Sequence, residues 1–223
     1  MLNISIDEFE MDLKSIPKRS PFRSISVNHD KKIIIISLRK VASSTIDRYL
    51  RTYIRNKQLN TLKPLKLFFS NYEYVAQYNI YMVIRNPIDR FISAFKWFIY
   101  PKIEKYKMNE DQSNVNIKIN NFIDDIKNER CINNKWYIKL KPHWEPYLHF
   151  LTYNNNFSVN FIYDIKDTTK MLHQIDNILG TEHSTVQHRK NTKSVDIVLN
   201  QSSKDFLNKY YHQDFSIYNK VVG

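Results

Sequence analysis

Twice in its N-terminal half this chain runs from a short apolar stretch, through a cation, into a helical pattern. The first unit is K-K-I-I-I-I-S-L-R-K-V-A-S-S-T-I over residues 31–46, and the second is N-I-Y-M-V-I-R-N-P-I-D-R-F-I-S-A-F-K-W-F over residues 79–98. A β-branched run such as Ile33 to Ile36 is too short to cross a membrane and fits a strand covered on both faces of a parallel sheet. Ile46, Tyr49, Leu50, Tyr53 and Ile54 then recur at helical spacing. Asp47 is expected in the first turn, where it suits the helix dipole and can pair with Arg51. Ser43, Ser44 and Thr45 therefore fall at or just before a helix N-terminus, where backbone N–H groups without intrahelical partners attract anions. Lys40 and Arg39 bring positive charge to the same spot. An ordinary serine N-cap flanked by solvated cations is the alternative for this segment taken alone.

In the second unit the strand is expected over residues 80–84. Asn86 suits the N-cap, Pro87 the first helical position and Asp89 the first turn. Ile88, Phe91, Ile92, Phe95 and Phe98 or Ile99 make the buried stripe. Arg85 falls at the junction of strand and helix, which points into the crevice at the carboxyl ends of a parallel sheet. Ser93 lies two turns into the helix and off the main stripe. Alone, Arg85 reads more readily as a surface cation than as a ligand, but the same design occurring twice, each time with a cation at the strand end, shifts the balance toward an anion site. That site is not a nucleotide-triphosphate P-loop, whose glycines let the backbone wrap the phosphates. This chain has only two glycines, Gly180 and Gly223, and neither is near.

The remaining pattern predicts a polar, wrapping N-terminal segment over residues 1–24 and one domain over 25–223. A short strand is expected over 65–69 and a hydrophilic loop over 101–116, placed to cover an acceptor site. Ile119, Phe122, Ile123 and Ile126 predict a helix, residues 159–163 a strand, and Met171, Leu172, Ile175, Ile178 and Leu179 a helix stopped by Gly180. Strands alternating with helices give an α/β fold, a single P-loop-like domain with a central, mainly parallel sheet flanked by helices. The formal charge of +12, from 34 basic and 22 acidic residues, would draw in polyanions or anionic small substrates, although a generally basic surface has the same composition. A nucleic-acid-binding role is the weaker reading, because RNA-binding sheets expose aromatics and these strands are aliphatic. The single cysteine, Cys131, excludes an intramolecular disulfide and suits a reducing compartment. The first residues, M-L-N-I-S-I-D-E-F-E, show no signal peptide pattern, and no stretch reaches the roughly 18 apolar residues of a span. A soluble, cytoplasmic protein is the expectation.

The two units together resemble the donor site of sulfotransferases that use 3′-phosphoadenosine-5′-phosphosulfate (PAPS), in particular the carbohydrate (chondroitin-type, family 2) branch. R-K-V-A-S-S-T over 39–45 is similar to the branch's 5′-phosphosulfate loop, of the P-K-V-A-[CS]-[ST] type, with Arg39 where proline is usual. I-R-N-P-I-D-R-F-I-S-A over 84–94 is similar to its 3′-phosphate motif. K-P-H-W-E-P-Y over 141–147 is similar to its H-W-x-P element, and F-I-Y-D near Tyr163 and H-R-K-N-T-K-S over 188–194 are weaker matches. The family's cysteine-bearing acceptor region is missing.

The resemblance implies sulfuryl transfer to a hydroxyl acceptor, with a carbohydrate, acidic or neutral, as the expected partner. The product nucleotide would be 3′,5′-bisphosphoadenosine, and no metal is expected. Lys40 would stabilise the leaving group. Arg39, Lys40, Val41, Ala42, Ser43, Ser44 and Thr45 would hold the 5′-phosphate end, Arg85 and Ser93 the 3′-phosphate, and Arg189 and Lys190 would close over it. His143 is the expected general base, since histidine titrates near neutral pH, with Glu145 second and Glu73 third. Structurally, His143 could instead brace Trp144. A nucleotide-binding relative without activity is the alternative within the same family.

Overall fold

The computed structural model describes residues 22–62, 76–99, 112–130, 133, 135–147, 159–181 and 196–223. Five strands form one sheet in the order β3-β1-β2-β4-β5, with β1 Phe22–Asn28, β2 Ile33–Leu38, β3 Asn60–Leu62, β4 Asn79–Ile84 and β5 Phe161–Asp164. The strands β2, β4 and β5 run parallel, while β1 pairs antiparallel with both β2 and β3. Strands β2 and β4 are the apolar runs that their sequences suggest. All six residues of β2 are buried, and four consecutive isoleucines there each contribute about 1.5–3 kcal/mol of apolar burial. The parallel register pairs Ile33 with Asn79 and Ile84 with Asp164, so the three strands end side by side.

The helices are α1 Ser43–Arg55, α2 Pro87–Ala94, α3 Gln112–Lys127, α4 Lys135–Leu140, α5 Thr168–Leu179, α6 Gln201–Tyr210 and α7 His212–Val222. Two apolar cores result. The first joins the sheet to α1 and α5, with Tyr147 and the C-terminal part of α7 packed against it. The second is helical and gathers α2, α3 and α4 with Trp144, Leu207 and Tyr211. The buried Asp176 of α5 pins α1 in place by accepting the hydroxyls of Tyr49 and Tyr53, and Thr181 donates to Tyr53 at 2.7 Å. Gly180, at φ 70, ends α5 as expected.

Several boundaries differ from the sequence reading. Strand β1 begins at Phe22, inside the segment expected to wrap the domain, and its buried Ser26 breaks the apolar pattern that would have announced it. Helix α3 starts at Gln112, so the end of the expected loop over 101–116 is helical. The last parallel strand is shifted to Phe161–Asp164. The strand expected over 65–69 and residues 1–21 lie outside the described residues.

Candidate active site

The turn from β2 to α1 takes positive φ twice without glycine, at Lys40 (φ 64) and at Ala42 (φ 47). For residues with a Cβ this costs about 1–2 kcal/mol each, so the surroundings must enforce it. Val41 between them is fully buried in the sheet core and anchors the turn. The left-handed Ala42, not a serine, is the N-cap of α1, and its carbonyl accepts the N–H groups of Thr45 at 2.8 Å and Ile46 at 3.0 Å. The N–H groups of Ser43 and Ser44 then head the helix, in a concavity of the kind that binds anions. Asp47 is the fifth residue of α1 rather than part of its first turn, and it accepts from Ser24 Oγ at 2.8 Å, tying the helix to β1.

The second unit forms as its sequence suggests. Asn86 Oδ1 accepts from the N–H groups of Ile88 at 3.0 Å and Asp89 at 3.3 Å, with Pro87 at the first helical position. Arg85 leaves the end of β4 beside the turn that follows β2, so both cations stand at the carboxyl ends of adjacent parallel strands, where α/β sheets hold their ligand crevice. Lys40 has its pKa pulled down to about 8, first by desolvation and then by the Arg85 charge. Burial also lowers Arg85, against the opposing pull of Asp89, Asp164 and Tyr218. Ser93 sits one helical turn beyond Asp89, on the same face of α2.

Beyond Ala94 the helix widens into a π-helical turn, Phe95–Ile99. Such insertions redirect side chains and recur at functional sites. Here the turn sets Trp97 and Phe98 against Lys40, whose Nζ lies 5.0 Å and 5.4 Å from their ring centroids. The His143 ring packs on Phe98 at 4.0 Å between centroids, so Lys40 and His143 meet the same aromatic ring. Trp97, which the sequence reading did not single out, is 55% exposed. The Glu145 carboxylate instead pairs with Lys141 Nζ at 3.3 Å. Glu73, Arg189 and Lys190 lie outside the described residues.

Arg90 is the residue that sequence reasoning missed. It is fully buried, donates from Nε to the Arg39 carbonyl at 3.2 Å and from Nη1 to the Glu145 carbonyl at 2.8 Å, and stacks 5.5 Å from the Tyr147 ring centroid. One guanidinium thus fastens the turn after β2 to the segment that carries His143. Tyr147 N–H donates to the buried Asp214 at 3.2 Å, and the Tyr211 hydroxyl donates to the Trp144 carbonyl, so α7 and the preceding turn hold this segment from behind. In the sequence Arg90 stands between Asp89 and Phe91, where an arginine in a helix reads as an ordinary solvated cation.

A family model described as Sulfotransferase family matches residues 23–220, which takes in both strand–helix units, the His143 segment and nearly all of α7. No curated protein and no solved structure matches the chain. Among the described residues no cluster of His, Cys, Asp and Glu could hold a metal ion, and no helix is long and apolar enough to cross a membrane.

Proposed function

The chain belongs to the sulfotransferase family, and from that premise we propose that it moves a sulfuryl group from PAPS to a carbohydrate hydroxyl. The observation that carries this reading is the meeting of Lys40 and Arg85 at adjacent strand ends, over the glycine-free head of α1. The small side chains of Ala42, Ser43 and Ser44 leave the backbone open to a phosphate, and the two cations suit a ligand anionic at both ends.

In-line transfer breaks the bond between sulfur and the bridging phosphate oxygen and forms one from sulfur to the acceptor oxygen. The protein's contribution is positioning and charge stabilisation. Lys40 meets the negative charge that builds on the departing 5′-phosphate, and the residues from Arg39 to Thr45 hold that phosphate. Arg85 and Ser93 hold the 3′-phosphate. His143, which packs on the same Phe98 ring that Lys40 approaches, takes the proton of the acceptor hydroxyl. The engagement of Glu145 with Lys141 favours His143 over Glu145 for that role. Trp97, exposed beside Lys40, offers a flat apolar face on which a sugar ring can rest, which supports a carbohydrate acceptor.

Thermal stabilisation by 3′,5′-bisphosphoadenosine and by 5′-AMP tests the donor site. The bisphosphate is expected to stabilise more; equal shifts would remove Arg85 and Ser93 from the reading. Lys40→Ala is expected to abolish transfer while still binding nucleotide, and a screen of neutral and anionic glycans with labelled PAPS would identify the acceptor.

A further inference from the structure

The third parallel strand also ends in a charged residue, and its charge is negative. Asp164 closes β5 directly opposite Ile84 in the parallel register, so its neighbour across the strand ends is the residue that follows Ile84, Arg85. Asp164 is only 5% exposed. Its Oδ1 accepts the Lys166 N–H at 2.9 Å, capping the short helical turn Ile165–Asp167. Its Oδ2 is buried and short of a full hydrogen bond among the described residues, with the Tyr218 hydroxyl facing the carboxylate. Capping the turn explains one oxygen and leaves the other unexplained. A buried carboxylate oxygen short of a full hydrogen bond is costly, by roughly 1–3 kcal/mol, so its retention asks for a function.

From the register and this under-satisfied oxygen we propose that Asp164 is a positioning residue, which turns the Arg85 guanidinium toward the 3′-phosphate of the nucleotide. The proposal rests on the reading of this crevice as a PAPS site. A guanidinium presents its five donors in a flat fork, so one edge can face a carboxylate while the other takes a phosphate. A carboxylate in direct contact with the phosphate would repel it. The workable order is therefore Asp164, then Arg85, then phosphate. The groups around Arg85 agree with this order. Asp89 on α2 and Tyr218 on α7 are its other charged or titratable neighbours, with Lys40 across the crevice. Asp89 is exposed and screened by water, whereas the buried Asp164 acts through a medium of lower dielectric. Burial and the Asp164 carboxylate raise the Tyr218 hydroxyl, which keeps it protonated as a donor facing that carboxylate.

Asp164→Asn tests this, because it keeps the shape and the acceptor for Lys166 N–H but removes the charge. Dissociation constants for 3′,5′-bisphosphoadenosine and 5′-AMP would be measured by calorimetry on the wild type, Asp164→Asn and Tyr218→Phe. The bisphosphate is expected to bind Asp164→Asn about tenfold more weakly, the low end for a charge-assisted hydrogen bond, with 5′-AMP affinity nearly unchanged. Tyr218→Phe is expected to shift the ratio in the same direction by about threefold, on the scale of one neutral hydrogen bond. A merely structural role would weaken both nucleotides alike and leave the ratio intact, which overturns the proposal. If Asp164→Asn does not fold, an unchanged ratio in Tyr218→Phe overturns it equally. A wild type that fails to prefer the bisphosphate sinks the underlying donor-site reading as well, so the two failures are distinguishable.

Discussion

Nucleotide affinity should fall as pH rises through the range in which an ordinary lysine stays charged. Lys40 lies against the rings of Trp97 and Phe98, and burial and the Arg85 charge pull its pKa down to about 8. An unperturbed lysine titrates near 10.4, so it would hold its charge throughout the working range. The phosphates of the ligand favour the charged form, so a protein that has lost the Lys40 proton must recover it to bind. From pH 7 to pH 9 the protonated share of the free protein falls from about nine-tenths to about one-tenth, and the dissociation constant should rise by up to about tenfold. Calorimetry with 3′,5′-bisphosphoadenosine in buffers of different ionisation enthalpy measures both the constant and the proton taken up. Other groups should not imitate the effect. The buried hydroxyls of Tyr147 and Tyr210 are pushed far up, and the ligand's phosphate ionisations near pH 6 are complete. Lys40→Met should bind more weakly at pH 7 and show a flat profile. A constant affinity between pH 7 and pH 9, or the same slope in Lys40→Met, would refute the role given to this ammonium.

Arg90→Met strips the donors from the Arg39 and Glu145 carbonyls and should lower stability by roughly 2–5 kcal/mol, read from the urea midpoint at unchanged slope. His143→Ala should reduce turnover by about 10²–10⁴-fold with little change in bisphosphate affinity; near-normal turnover would leave the histidine as a brace for its neighbours. Gly180→Ala should cost about 1 kcal/mol in thermal denaturation, because φ is 70 and nothing lies within 4 Å of the added methyl, so only backbone strain is at work.

Both strand–cation–helix units were legible because their parts are local. A β-branched run, a cap residue and a helical stripe each declare themselves within a dozen positions, and the capping by Asn86 was readable from three residues. What escaped depended on tertiary context. Neither lysine nor alanine favours left-handed backbone, so the conformations of Lys40 and Ala42 arise from the burial of Val41 between them. The π-helical turn reads in sequence as plain continuation of α2, and only the packing of Trp97 and Phe98 against Lys40 reveals it. Arg90 was hidden by its charge, since an arginine inside a helix is ordinarily solvated. Asp164 closes the F-I-Y-D run but has no role legible there, because its importance depends on which strand lies beside it, and parallel neighbours are set by a crossover remote in sequence.

The turn after β2 holds its shape without glycine, and this bears on how the site responds to warmth. A glycine-rich cradle is loose when empty and must become ordered around its phosphate, which sets an entropic loss against every binding event. Here Val41 is already locked into the core and the left-handed positions are fixed during folding. Docking a nucleotide onto such a rim restrains little further motion. Heating should therefore loosen its hold on the ligand less than it would loosen a glycine-rich site of the same charge.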